Sequence, residues 1–253
     1  MIYIKSSSEI ALMREAGRIA GNALAMAKGL VEDGVSTRRI DSRIREFILS
    51  QGAKPSFLNY GGFPASACIS VNNEVIHGIP DTRVLRNGDI VSIDVGAYYK
   101  GFHGDTAATF AVGEVNDEAK QLIAVTRESF FKGADAAKIG NRIGDISAAV
   151  EGYIKQFGYS AVEEYVGHGV GRDLHEDPSI PNYVSRNRGW RIQSGMTFAI
   201  EPMINVGSKH VETLKNGWTV VTKDGKLSAH YEHTIAVTED GIIILTEPDC
   251  GCL

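Results

Sequence analysis

Apolar positions along this chain follow two periods, and the two periods alternate in blocks. Between Ile10 and Ala27, Met13, Ala16, Ala20, Ala23 and Leu24 recur at intervals of three and four, the spacing that lines one face of a helix. Ser6 followed by Glu9 has capping-box spacing, so the helix is expected to begin there and to run to about Lys28. After Gly34, with Ser36 or Thr37 as cap, Ile40, Ile44, Phe47 and Ile48 define a second helix that Gly52 stops. The period then breaks. Asn59 to Pro64, NYGGFP, cannot be regular structure, and it leads into a strand from about Ala67 to Val71 and then into EVIHGIP, which carries His77. From Ile90 to Phe110, two apolar, β-branched runs flank a turn of Gly and Tyr residues, which predicts a β-hairpin.

The same order of blocks then starts over. Asn116 can cap a helix through Ala119, Leu122, Ile123, Thr126 and Phe130, and a further helix with Ile143, Ile146, Val150 and Ile154 ends at Gly158. NGDIVSIDV from Asn87 aligns with SGMTFAIEP from Ser194 at a constant offset of 107, which sets Gly88 on Gly195 and Asp94 on Glu201. Ser36 falls on Ile143 at that offset, and Gly52 falls within one residue of Gly158. Helices and acids shift together, so one domain over 1–253 is expected, built by internal duplication with halves of roughly 1–112 and 113–253. Past Glu201 the chain turns at Asp224-Gly225, enters a long strand, LSAHYEHTIAVT, and closes with a hairpin at Glu239-Asp240-Gly241. Asp94 and Asp105 are 11 positions apart but Glu201 and Glu232 are 31, so the second half holds roughly 20 extra residues, the kind of insertion that often carries function.

Composition narrows the class. At 253 residues, 43% hydrophobic and 23% charged, the chain is an ordinary globular one with enough apolar material for a full core. A net charge of -5 argues against a surface that grips nucleic acid throughout. Three cysteines, Cys68, Cys250 and Cys252, make no disulfide framework and no CxxC metal pair, which suits a reducing cytoplasm. The first residues show no continuous apolar signal region, and nothing approaches the roughly 18 apolar residues of a membrane span, so a soluble, unsecreted protein is expected.

The chemistry lies in the acids. An aspartate within an apolar strand costs several kcal/mol unless something neutralises it, and two side by side would share a proton unless a multivalent cation kept both ionised. Asp94 and Asp105 occupy such places in the hairpin, and the alternative is that one caps the turn while the other pairs with Arg or Lys. Elsewhere, GHGVGRDLHEDP sets His168 among glycines, with His175 seven residues on. Asp94, Asp105, His168, Glu201 and Glu232 together offer four carboxylates and one imidazole, a formal charge of -4 that two divalent cations cancel. Surface salt bridges are the plainer reading, but Ile93-Asp94-Val95 and Ile200-Glu201-Pro202 are not exposed patterns.

These residues, IDVG with Asp94, GDTAATF with Asp105, GHGVGRDLHEDP, TFAIEPM with Glu201 and AHYEHTIAV with Glu232, carry a resemblance. The chain resembles the type I methionine aminopeptidases along nearly its whole length. The five-residue ligand set is also that of proline-specific aminopeptidases and prolidases, whose α+β "pita-bread" (creatinase/aminopeptidase) fold sets two pseudo-symmetric helix-helix-strand halves around an antiparallel sheet. Prolidases add an N-terminal domain and type II methionine aminopeptidases a helical insertion, and this sequence has room for neither. The resemblance implies two divalent metal ions, Co, Mn, Fe or Zn, held by Asp94, Asp105, His168, Glu201 and Glu232. It implies peptide hydrolysis in which Glu201 accepts the proton of the attacking water, His175 stabilises the oxyanion, and His77 sits by the scissile amide or the second residue. It places Tyr60, Phe63, Leu174 and Trp218 around the first side chain of the substrate, where a methionine thioether fits aromatic walls.

Two positions depart from the family's commonest pattern: Leu174 stands where many relatives have Phe, and Gly61 where many have His or another polar residue. Trp218 either closes the pocket or packs, and Cys68 is either a small buried residue or a pocket residue. His103, His210, His230 and His233 are assigned to packing or surface. The expected activity is removal of N-terminal methionine from nascent proteins and peptides with a small second residue. An X-Pro peptidase is the enzymatic alternative and a non-catalytic binding protein of the same fold a further one. Nascent-chain N-termini are the expected partners, a monomer without membrane contact the expected state, and Lys209, Lys215, Lys223 and Lys226 a basic loop for ribosomal RNA.

Overall fold

The computed structural model describes residues 1–252. Helix α1 (Ser7–Lys28) starts as its spacing predicts: the Ser6 hydroxyl accepts the Glu9 N–H, and the Glu9 carboxylate accepts the Ser6 N–H. Helix α2 (Thr37–Ser50) takes Ser36, not Thr37, as its cap, and Gly52 ends the segment at φ 70°. Strands β1 (Lys54–Pro55), β2 (Ala67–Val71) and β3 (Glu74–Ile76) lead to the hairpin of β4 (Ile90–Tyr99) and β5 (Phe102–Ala111). The second half supplies α3 (Asp117–Ala136), capped by Asn116, and α4 (Ile143–Ile154). Its strands are β6 (Ser160–Ala161), β7 (Gly167–Gly169), β8 (Glu176–Ile180), β9 (Thr197–Ile200), β10 (Met203–Asn205), β11 (Val211–Thr213), β12 (Val220–Thr222), β13 (Ser228–His230), β14 (Glu232–Thr238) and β15 (Gly241–Ile244).

Nine strands form the main antiparallel sheet in the order β1-β4-β5-β14-β9-β7-β8, with β2 also on β4 and β15 on β14. Successive side chains on a strand point to opposite faces. On β4 the residues Val91, Ile93, Val95 and Ala97 join one core with Leu24 of α1, Ile40 and Ile44 of α2, Phe130 of α3 and Ile146 of α4. Asp94 belongs to the other face. Register then sets Cys68 opposite Asp94, Asp94 opposite Ala107 and Ala107 opposite Glu232, so residues of four strands stand in one row. Helix α1 lies close on β5 because glycines meet there: a Cβ on Gly104 would fall 2.4 Å from the Gly17 Cα. Among the described residues, no helix is long and apolar enough to cross a membrane.

Four expectations need correction. NYGGFP is not wholly irregular, because Tyr60–Gly62 forms a 3-10 turn, entered through Asn59 at φ 66° and carried by Gly61 at φ 55°. LSAHYEHTIAVT is not one strand. It breaks at Tyr231, whose N–H donates to the Pro202 carbonyl and whose ring packs on Phe130 and His233, so β13 pairs with β10 in a second sheet while Glu232 starts β14. Cys250 and Cys252 are joined in a disulfide across one residue at an exposed end of the chain, whereas Cys68 is free and buried. The inserted segment after Glu201 is also more than a loop, since β11 and β12 form a hairpin and β12 pairs with β3 beside His77.

Candidate active site

Asp94 and Asp105 are brought together by the β4–β5 register, Gly96 facing Asp105 and Asp94 facing Ala107, two positions along the same face. Glu232 enters at the first residue of β14, and Glu201 directly follows β9, next to it in the sheet. His168, in the middle of β7, completes the group. Its Nε2 lies 3.5 Å from Glu201 Oε1 and 3.9 Å from Asp105 Oδ2, while its Nδ1 is 2.9 Å from the Gly169 carbonyl. With Nδ1–H donating to that carbonyl, the Nε2 lone pair faces the carboxylates. Asp105, His168 and Glu232 form the tightest triplet, with one ligand atom from each lying within 4.8 Å of the others.

Burial sets the electrostatics. It pushes the carboxyls of Asp94, Glu201 and Glu232 well above the usual carboxylate range, and the neighbouring Asp105 charge pushes each the same way. Asp105 is raised to about 7 by burial. Burial also lowers His168 to about 3, keeping its imidazole neutral. Asp94 Oδ1, Asp105 Oδ1 and Glu232 Oε1 are buried without a hydrogen-bond partner, and such orphaned acceptors ask for a ligand. Oxygen-rich donors with one neutral imidazole fit divalent cations of the Mn, Fe, Co or Zn kind. The residues present fit such a centre.

Around the acids lies a cavity of about 430 Å³. All eleven residues singled out from the sequence line it: the five possible ligands, His77, His175, Tyr60, Phe63, Leu174 and Trp218. Phe63 and Leu174 are buried, and the Trp218 ring meets Phe63 edge-on with centroids 5.1 Å apart. His175 stacks obliquely on His168 at 4.1 Å, and its Nδ1 is 2.7 Å from the Tyr60 hydroxyl. Burial lowers the pKa of His175, so the ring is neutral; with Tyr60 donating to Nδ1, the proton sits on Nε2. His77 is lowered to about 4, chiefly by burial. Its backbone is held at φ 58°, a conformation that costs energy in a residue with a Cβ. The next residue enforces it: the Gly78 carbonyl accepts the Ile69 N–H, and a Cβ on Gly78 would strike the Ile69 carbonyl at 2.2 Å.

The sequence profile of metallopeptidase family M24 matches residues 11–239. The chain belongs to metallopeptidase family M24. It is 53% identical over 247 residues to a methionine aminopeptidase of Clostridium acetobutylicum, a match covering 97% of this chain and 99% of that one. Methionine aminopeptidase 1 of Bacillus subtilis is 52% identical, with 97% and 99% covered. Among solved structures, a methionine aminopeptidase of Thermotoga maritima superposes with a TM-score of 0.95 at 44% identity, covering 97% of this chain and 99% of that one. The prolidase of Pyrococcus furiosus gives 0.78 at 26% identity and covers 96% of this chain but 65% of its own. The fold is the pita-bread fold of these M24 enzymes.

Several residues at the site escaped the sequence reading, among them Ile76, Glu164, Tyr165 and Val166 of the cavity lining. His230, assigned there to packing, has Nε2 3.8 Å from Glu201 Oε2, buried and without a hydrogen-bond partner; burial lowers it to about 3. Its position two before Glu232 was the available signal, but the break at Tyr231 that turns it toward Glu201 has no signature in a stretch that reads as one continuous strand. Phe57 also lines the cavity. It precedes the irregular stretch, where no periodicity assigns a side. His233 does pack, bonded to Tyr231 and Thr246 and edge-on against Phe130, and His103 bonds Ser56 beside Tyr98.

Proposed function

We propose that the chain removes the N-terminal methionine from nascent proteins and peptides whose second residue is small. The observation that carries this reading is the convergence of four carboxylates, Asp105 and Glu232 buried and Asp94 and Glu201 half-buried, and a neutral imidazole on a cavity walled by Phe57, Phe63, Leu174 and Trp218. In this reading Asp94, Asp105, His168, Glu201 and Glu232 hold two divalent cations. When bound, the cations supply a more acidic nucleophilic water and polarise the scissile carbonyl. Glu201, whose burial raises its proton affinity, accepts the water proton and returns it to the leaving amine. His175, neutral and oriented by Tyr60, donates Nε2–H to the carbonyl oxygen as negative charge develops. His77, pinned by its backbone beside Trp218, faces the scissile amide and the second residue. A methionine side chain suits the aromatic wall, since an unbranched thioether adapts to it and gains sulfur–aromatic contacts of up to about 1.5 kcal/mol.

An X-Pro peptidase of the same fold is the alternative. Rates on Met-Ala and Met-Pro peptides, set against Leu-Pro and Arg-Pro, separate the two; faster release of Arg from Arg-Pro would overturn the methionine reading. In the proposed setting the protein works as a cytoplasmic monomer near emerging chains. Lys209, Lys215, Lys223 and Lys226 then serve as a ribosomal RNA contact, opposed locally by Glu212 and Asp224, with Lys209 already paired to Glu163 at 2.8 Å. Co-sedimentation with ribosomes should weaken as salt rises and again when the four lysines become glutamates. No effect of either would remove the loop from the reading.

The duplication is proposed on the same footing. Its support is that Gly88 and Gly195 share φ values of 96° and 86°, and Gly52 and Gly158 values of 70° and 76°. Isolated antiparallel bridges also recur before the second helix of each half, Ser36 to Val84 and Arg142 to Arg191.

A further inference from the structure

Lys5 and Glu176 are buried charges that no step above uses. Nζ and Oε2 are 2.5 Å apart, and the two side chains are 5% and 3% exposed. Glu176 follows His175 directly, and its second oxygen does other work. Oε1 accepts the backbone N–H of Arg172 at 2.8 Å and that of Asp173 at 3.3 Å, so one carboxylate closes the turn on which His175 rides. Gly171 leaves the space for this: a Cβ there would lie 2.3 Å from Glu176 Oε1 and 2.6 Å from Lys5 Cε. Lys5 is fixed in turn, because its N–H donates to the Gly195 carbonyl at 2.8 Å. A second pair holds the start of the same turn, Arg172 to Glu9 at 2.9 Å, with the guanidinium 4.9 Å over the Phe102 ring.

Burying an ion pair seldom gains stability over apolar packing, so its presence calls for a reason of another kind. Here the reason is geometric. Backbone N–H groups converge where a side-chain oxygen must accept them to close the turn, and the carboxylate that supplies this oxygen is so deeply buried that it needs a cation beside it. The chain supplies that cation from a segment some 170 residues away in sequence, Lys5 to Glu176. We propose that Lys5 and Glu176 are positioning residues for His175: the Lys5–Glu9 segment is a strap that fixes the 171–176 turn, and through it the imidazole that meets the substrate carbonyl. This inference rests on the proposed reaction, and it assigns the N-terminal strap to the rate of the chemical step rather than to metal or substrate affinity.

The test is steady-state kinetics on a Met-Ala-Ser peptide with the metal-loaded full chain, alongside elemental analysis and thermal melting. Lys5→Met should lower kcat about tenfold, with KM within twofold and metal content unchanged, because a misdirected donor weakens the transition state alone. Lys5→Met with Glu176→Gln should recover most of that loss, since the amide oxygen still accepts the turn's N–H groups and no unpaired charge remains. In a His175→Ala background, Lys5→Met should change kcat by less than twofold. Gly171→Ala, which displaces the carboxylate without altering any charge, should repeat the kcat loss if Lys5→Met does not fold. A lowered melting temperature with normal kcat would overturn the inference, and so would a loss of bound metal or a full tenfold loss on top of His175→Ala. A wild-type chain that binds metal yet releases no methionine would instead overturn the function itself, and the strap's role with it.

Discussion

Metal uptake at the acidic centre should release protons, and the release should shrink as pH rises. Burial raises Asp105 from an ordinary 3.8 to about 7, which at 1.36 kcal/mol per unit disfavours its ionised form by about 4 kcal/mol. Asp94, Glu201 and Glu232 are pushed in the same direction. Because these folded-state values lie above the unfolded ones, the carboxyls favour the metal-free fold below about pH 4, and for Asp105 that contribution is lost as pH climbs through about 7. A cation binds only the ionised oxygens, so it competes with the protons. Each proton displaced should tighten the apparent Kd about tenfold per pH unit while the group is still mostly protonated. His168, already neutral at about 3, contributes no proton in this range. Calorimetric titration of chelator-stripped protein with Mn2+ at pH 6, 7 and 8, in two buffers of different ionisation enthalpy, measures both quantities. At least one proton should leave at pH 6, fewer at pH 8, and the melting temperature gained on adding metal should be larger at pH 8. A Kd independent of pH, with heats that do not depend on the buffer, would mean that the carboxylates are ionised before metal arrives and would refute the burial argument.

Asp94→Asn and Glu232→Gln each remove a proposed ligand but little volume, so activity and metal stoichiometry should fall while circular dichroism stays native; full activity in either would take that residue out of the centre. His175→Ala should lower kcat by about 10² to 10³, the usual loss for one oxyanion donor, with metal content unchanged in elemental analysis. Leu174→Phe should spare or improve methionine release and Phe63→Ala should lower the ratio of Met to Leu release on paired peptides. An unchanged ratio in both would place the selectivity elsewhere in the cavity.

Helices and hairpin were legible because period and caps are local. Ser6 with Glu9, Asn116 and Gly52 mark ends that the backbone adopts as written, within a residue or two. The four acids and His168 were legible for a different reason: a charge inside an apolar run conflicts with burial, and such conflicts collect where a ligand resolves them. What stayed hidden depends on contacts between distant segments. Nothing around Tyr231 distinguishes a strand that changes sheet from one that continues, and so His230 could not be directed to Glu201. Lys5, in an ordinary N-terminal segment, gives no sign that it meets Glu176, because the pair exists only once α1 lies on β5 and the turn folds back. The exposed Cys250–Cys252 link is likewise invisible to a count of cysteines.

The placement of the acids follows from what a cation site of this charge demands. Four carboxylates within a few ångströms repel one another, and on flexible loops they would swing apart into water. Asp94, Asp105 and Glu232 instead stand on central strands of a nine-stranded sheet whose reverse face is sealed by Leu24, Ile40, Phe130 and Ile146, so the backbone cannot yield without opening the main core. Each buried aliphatic side chain there contributes about 1.5–3 kcal/mol, enough in sum to hold the acids together while protons occupy them. The histidines proposed to meet substrate are treated differently. His77 and His175 sit beside strand ends and turns, where a left-handed backbone and a buried ion pair set their direction. Rigid sheet for the charges and braced turns for the donors is a division that lets pocket residues such as Leu174 and Gly61 vary without disturbing the ligands.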